Sequence, residues 1–226
     1  MFKIEDILLR IPNAMSDDEC DFLIEHHKQN EEEHILEHCP DANTGVDTYS
    51  SFKCVMLKQY SEPHNIVHSK TKQMVERWKD HLVKFNAFHL PLLFGPDTGL
   101  NYSHVYRLLK YEPGTKIHPH SDYDNFTLGS CTFNLNDEYT GGVFKFWNGQ
   151  YEVELKKGEA MIWPADYFWV HEIGRIETGL RYSTNCFLRS IGTDLFNEQF
   201  NYVQQERNKR TADPTNSEYG QYFWRT

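Results

Sequence analysis

The segment Ile117-His118-Pro119-His120-Ser121-Asp122-Tyr123 sets imidazoles and a carboxylate at alternate positions. In an extended chain residues two apart point the same way, so His118, His120 and Asp122 are expected on one side of a strand. An imidazole and a carboxylate aimed at one point are ligands for a divalent first-row metal. The third ligand must come from elsewhere. His171 is the best candidate, since it shares a face with Trp169 on a later expected strand. Two histidines and one carboxylate on one face of an octahedral ion leave three positions open, an arrangement suited to ferrous ion. His118 is expected outside the ligand set, behind the metal or at the surface.

Arg181 stands ten residues after His171, and Ser183 two further on. The pair is expected to share a face of the strand that runs back past His171. A dicarboxylate that chelates a metal through a keto-acid end would bury its far carboxylate, and a planar cationic fork suits that position. The hydroxyl of Ser183 and the phenol of Tyr111 could complete its hydrogen bonds. The aromatic residues Tyr106, Trp147, Tyr167, Phe168 and Trp169 are candidates for a wall around the mouth, with core packing the competing role.

These residues need a β framework to hold them. From about Tyr102 the sequence breaks into short β-rich runs: Val105–Tyr111, Cys131–Leu135, Val143–Trp147, Gly158–Trp163, Phe168–Ile173 and Leu180–Arg189. Asn148-Gly149 signals a type I′ hairpin, after which Tyr151, Val153 and Leu155 alternate with Glu152, Glu154 and Lys156 as a half-buried strand. Upstream, Ser16 and Glu19 have capping-box spacing and begin a helix of about three turns. Val67, Met74, Trp78, Leu82 and Phe85 predict a second helix over about Asn65–Phe88, while Asn30–Ser61 shows no clean period. The expectation is a single domain over 1–226, mainly β with flanking helices. Within it, 1–100 supply an N-terminal strand and supporting helices, 101–192 a sandwiched or closed β core, and 193–226 a polar extension ending in an aromatic tip.

The 23 Lys and Arg against 33 Asp and Glu give a net charge of −10. That balance argues against nucleic acid as a partner, because a phosphate backbone demands surplus cations. Neither a signal peptide nor a run of about 18 apolar residues is present, so no membrane role is expected. Five widely spaced cysteines without a CxxC pair suggest reduced thiols and a cytoplasmic protein.

Tyr111-x-x-Gly114, His120-x-Asp122, Gly141-Gly142 before a strand, and His171 followed ten residues later by Arg181 occur in one order. That order resembles the 2-oxoglutarate/Fe(II)-dependent dioxygenase superfamily. The strings YEPGTKIHPHSDY, GGVFKF, KKGEAMIWP and HEIGRIETGLRYS are most similar to its prolyl 4-hydroxylase-like branch. The likeness runs unbroken over about Val105–Arg189, and IPNAMSDDEC is similar to that branch's N-terminal strand and helix start. It implies a double-stranded β-helix, the cupin-like jelly roll. It further implies His120, Asp122 and His171 as catalytic iron ligands, and Arg181 as the 2-oxoglutarate anchor. The cofactors implied are Fe(II), 2-oxoglutarate and O₂, with ascorbate as reductant. The activity implied is hydroxylation of an amino-acid side chain in a peptide or protein, with prolyl leading. Hydroxylation of a free amino acid or other small molecule, and a cupin-like metal protein without 2-oxoglutarate turnover, are the alternatives. Two positions depart from the branch: Arg181 stands where collagen-type enzymes usually carry lysine, and Ile117 where many carry a tyrosine.

Overall fold

Alternation decides which strands build the centre. In sequence order the strands are β1 (Leu9–Ile11), β2 (Ile35–His38), β3 (Ser51–Met56), β4 (Tyr102–Tyr111), β5 (Ile117–His120), β6 (Thr127–Asn134) and β7 (Tyr139–Gly141). They continue as β8 (Phe144–Phe146), β9 (Tyr151–Val153), β10 (Ala160–Pro164), β11 (His171–Ile173), β12 (Ile176–Gly179) and β13 (Arg181–Arg189). The computed structural model describes residues 3–39, 51–86, 88–96, 99–124 and 126–212. The protein forms two units, 1–190 and 191–226.

The first unit carries a seven-stranded sheet in the order β1-β10-β6-β13-β4-β3-β2, a four-stranded sheet β5-β11-β8-β9, and the pair β12-β7. Every pairing is antiparallel. This is the mainly β jelly roll with flanking helices that the sequence leads one to expect. Strand β13 is covered on both faces and is therefore buried almost throughout. Its even residues Tyr182, Cys186 and Leu188 pack toward the helices, together with Tyr106 and Leu108 of β4. Its odd residues Arg181, Ser183, Asn185 and Phe187 face a cavity, as do Arg107, Leu109 and Tyr111 of β4.

Helix α1 (Asp17–Gln29) starts where the sequence places it: Ser16 Oγ accepts from the Glu19 amide, and Glu19 Oε2 accepts from the Ser16 amide. Helix α2 spans Glu62–Val83, earlier at both ends than the apolar spacing predicts. Ser61 caps it and Pro63 occupies its first turn, the local signals that set the true start. Val67, Thr71, Met74, Trp78 and Leu82 bury one face. Trp78 Nε1 donates to the Ile7 carbonyl at 2.7 Å, fixing the backbone as it enters β1. A short helix α3 covers Leu90–Phe94.

Four expectations shift. The unpatterned stretch 30–61 contains β2 and β3, and β2 is an edge strand whose Ile35 and Leu36 are exposed. The turn after β8 places positive φ at Trp147 and Asn148 as well as Gly149, and the Gly149 amide bonds to the Phe146 carbonyl at 3.1 Å, so its centre lies one residue before Asn148-Gly149. Strand β13 pairs with β4 and β6 in the large sheet, so it does not run back past His171, which lies in the small one. In the second unit, residues 193–212, expected only as a polar extension, form helix α4. The aromatic tip Tyr219–Trp224 lies outside the described residues. No described helix is long and apolar enough to cross a membrane.

His27, in the last turn of α1, is 1% exposed, and neither ring nitrogen has a well-aligned hydrogen bond, with the Lys53 backbone the polar group close by. The His34 ring lies 4.3 Å away and that of Tyr182 5.5 Å. Burial, aided by the His34 charge, pulls its pKa from 6.5 to about 4. The fold holds this ring neutral, whereas the unfolded state protonates it below 6.5. Stability is therefore fully present above that value and lost as pH falls toward 4, by on the order of 3 kcal/mol. Urea midpoints at pH 7 and pH 4.5 should differ clearly less in His27→Phe than in the wild type. An equal acid sensitivity would show that His27 is not the group responsible.

Candidate active site

The cavity between the two sheets has a volume of about 220 Å³. His120, Asp122, His171, Arg181, Ser183 and Tyr111 all line it. Strand β11 sets His171 opposite His120 of β5, so the two ligand-bearing segments are direct antiparallel neighbours. The ligand atoms of His120, Asp122 and His171 lie within 4.8 Å of one another, the one such group among the described residues.

Each ring is oriented by the backbone. His120 Nδ1 lies 2.8 Å from the His118 carbonyl, and His171 Nδ1 lies 3.1 Å from the Trp169 carbonyl. A carbonyl only accepts, so both Nδ1 atoms carry a hydrogen and both Nε2 atoms turn inward. There they meet Asp122: His120 Nε2 lies 3.6 Å from Oδ1 and His171 Nε2 3.7 Å from Oδ2. Ser130 Oγ donates to Asp122 Oδ2 at 2.5 Å and fixes the carboxylate plane. Burial would raise the Asp122 carboxyl, but the charges of His171 and His120 and the Ser130 bond outweigh it and hold it well below the usual range. Burial pulls His171 down to about 4, so it is neutral at physiological pH. Burial works against protonation of His120 too, but Asp122 and the Cys39 thiol lift its pKa to about 10. A metal entering this group meets one neutral imidazole and a carboxylate, and displaces a proton from the other imidazole.

The strand is not a simple alternation. The register between β5 and β11 shifts between the His171 and Ile173 pairings, so Ile117 and His120 both line the cavity. His118, expected beside them, is buried away from it and contributes its carbonyl.

Arg181, 1% exposed, enters from the large sheet. Its Nε donates to Asn134 Oδ1 at 3.1 Å, and its guanidinium stacks 4.9 Å from the Tyr111 ring and 5.3 Å from that of Phe144. Asn134 is fully engaged, donating to the carbonyls of Asn136 and Leu155 and accepting from Tyr139 Oη as well. Arg181 Nη1 is buried without a partner. An unpaired buried guanidinium hydrogen is costly unless a ligand accepts it, so the site fits a carboxylate. The Tyr111 phenol, hydrogen-bonded to Ser183 and pushed upward by burial against the opposing Arg181 charge, stays protonated. Gly142 leaves room here: its φ is +68°, and a Cβ would lie 2.6 Å from Ile176 Cδ1 and 3.2 Å from Arg181 Cδ.

Core packing, the favoured reading for the aromatic candidates, holds for the buried Tyr106 and Trp169. None of Tyr106, Trp147, Tyr167, Phe168 and Trp169 lines the cavity. Tyr106 bonds to His68 on the helix side, Trp169 is buried, and Tyr167 and Phe168 are exposed beside Tyr123. Phe52, Phe144, Trp163 and Phe187 serve instead. Spacing also missed Ser130 and Asn134, whose roles appear only once β6 packs between β10 and β13.

A jelly roll that holds two histidines and an aspartate opposite a buried arginine is the architecture of a metal-dependent oxygenase that uses an oxo-acid co-substrate. Residues 106–189 match the 2OG-Fe(II) oxygenase superfamily, and the protein is a 2-oxoglutarate-dependent dioxygenase carrying that domain. The family implies Fe(II), 2-oxoglutarate and O₂. Among solved structures the fold is similar to a Pseudomonas putida prolyl-4-hydroxylase, with a TM-score of 0.60 at 16% identity over 80% of this protein and 92% of that one. It is similar also to the viral collagen prolyl hydroxylase of Paramecium Bursaria Chlorella virus-1 in its 2OG complex, at 0.60 and 16% over 82% and 97%. A Trichoplax adhaerens prolyl hydroxylase, solved with a hypoxia inducible factor peptide fragment, scores 0.58 at 12% over 82% and 84%. No curated protein sequence matches this one.

Proposed function

We propose that the protein hydroxylates an amino-acid side chain within a peptide or protein, a prolyl residue first among candidates. His120, Asp122 and His171 hold Fe(II), and Arg181, Ser183 and Tyr111 hold 2-oxoglutarate. One observation carries this reading: Arg181, whose buried Nη1 has no hydrogen-bond partner, lines the same cavity as the triad. The similar folds include prolyl hydroxylases, one of them solved with a peptide, which supports a peptide acceptor.

Bound iron supplies the reduction of O₂ that couples decarboxylation of 2-oxoglutarate to hydroxylation of an unactivated C–H bond. The protein's share is placement. The two Nδ1–H bonds lock the imidazoles so that Nε2 faces the ion, and Ser130 keeps Asp122 from rotating. Arg181, fixed by Asn134, receives the distal carboxylate, while the protonated Tyr111 and Ser183 donate beside it. A cavity of about 220 Å³ has room for a small dicarboxylate beside the triad and leaves little space for more than one side chain of an acceptor. Ascorbate would supply the reducing equivalents that keep a bound iron ferrous.

The test is succinate release from purified protein given Fe(II), ascorbate and 2-oxoglutarate, repeated with a library of proline-containing peptides and mass analysis. Slow release without acceptor, stimulated by peptides that gain one oxygen atom, is expected. Absence of succinate under both conditions would refute the reading.

A further inference from the structure

The cavity contains a second arginine whose partners differ from those of the first. Arg107 lies on β4, two alternate positions before Tyr111, and pairs in register with Asn185 of β13. Its Nε donates to Asn185 Oδ1 at 3.0 Å, one Nη donates to Glu37 Oε2, and its guanidinium covers the Phe187 ring at 5.4 Å. The other Nη donates to no described residue. Arg107 is therefore stiffly held, with three guanidinium hydrogens that no described residue accepts and its charge already balanced by Glu37. Exposure gives the direction: Arg181 is 1% exposed, the Arg107 side chain 14% and that of Glu37 26%. The Arg107–Glu37 pair is thus nearer solvent than Arg181, as is His120 with its side chain 27% exposed, and an acceptor approaching the triad from that side passes it.

A neutral carbonyl can take a hydrogen bond from this pair without adding charge. A carboxylate there would face the Glu37 anion, and desolvating it beside an already neutralised arginine is unfavourable. We infer that Arg107 binds a main-chain carbonyl next to the target residue and that Glu37 excludes a carboxylate from that place. The acceptor is then an internal residue of a peptide, neither a carboxyl-terminal residue nor a free amino acid. This deepens the function proposed above and rests on it.

The probes are acetyl-Ala-Ala-Pro-Ala-Ala-amide, acetyl-Ala-Ala-Pro with a free carboxylate, and free L-proline. Dissociation constants are measured by calorimetry on protein loaded with Mn(II) and 2-oxoglutarate. Wild type should bind the blocked peptide at least about tenfold more tightly than either carboxylate probe. Arg107→Met should weaken the blocked peptide by about tenfold. Glu37→Gln should strengthen the two carboxylate probes relative to the blocked peptide, a gain that misfolding cannot produce. Equal binding of the three probes, tightest binding of L-proline, an unchanged preference in Glu37→Gln, or no binding of any probe would overturn the inference. Succinate release by the same wild-type preparation separates the two failures: if it persists, only the acceptor assignment falls, and if it is absent the oxygenase reading falls with it.

Discussion

Asp122→Ala will abolish iron-dependent release of succinate and weaken metal binding by well over a hundredfold, while the fold stays intact. The reason is the share this one carboxylate has in the site. It is the sole anion of the group, and both imidazole Nε2 atoms converge on it at 3.6 and 3.7 Å. Removing it leaves two imidazoles that repel each other when charged and no negative charge to offset a dication in a buried place. Ser130→Ala supplies the graded control. It deletes only the bond that orients Asp122, and losing an outer-shell partner of this kind costs about 10–100-fold in metal affinity. Mn(II) titration measures both, with circular dichroism reporting the fold. Wild-type affinity in Asp122→Ala would show that the metal sits elsewhere.

Arg181→Ala carries the second large effect, on the co-substrate. Truncating one partner of a buried charge pair costs about 3–5 kcal/mol, because the remaining carboxylate is left without a countercharge, and this equals roughly two to three decades of affinity. The 2-oxoglutarate dissociation constant should rise by that factor while Mn(II) affinity without 2-oxoglutarate changes little, since Arg181 reaches the cavity from the opposite sheet. Arg181→Lys should recover part of the loss: it restores the charge but not the fork that Asn134 orients through Nε. Unchanged 2-oxoglutarate binding in Arg181→Ala would reject the anchor.

What could be read from the sequence alone was what is encoded locally. The spacing of Ser16 and Glu19, the alternation from Tyr151 to Leu155, and the two-residue steps His120/Asp122 and Arg181/Ser183 each concern side chains a few positions apart. Such spacings survive folding because backbone periodicity enforces them. Illegible parts depend on contacts between distant segments. Arg181 meets Asn134 across 47 residues and Arg107 meets Glu37 across 70, and neither residue of either pair advertises its partner. The sheet assignment of β13 failed for a related reason: adjacency in sequence to β11 does not fix which sheet receives the next strand. The His118 side was lost to one register shift, which no composition signal announces. Strand β2 escaped because an edge strand with exposed Ile35 and Leu36 lacks the alternation of a half-buried one.

The two-sided burial of β13 gives neighbouring residues unlike duties. Tyr182, Cys186 and Leu188 support the helices, and Arg181, Ser183, Asn185 and Phe187 serve the reaction chamber. Drift at Asn185 and Phe187 can thus retune which molecules are accepted, while drift at even positions tells first on the thermal midpoint. A lineage of such proteins can change its choice of acceptor at the two half-buried positions of one strand while the face that carries the helices stays as it is.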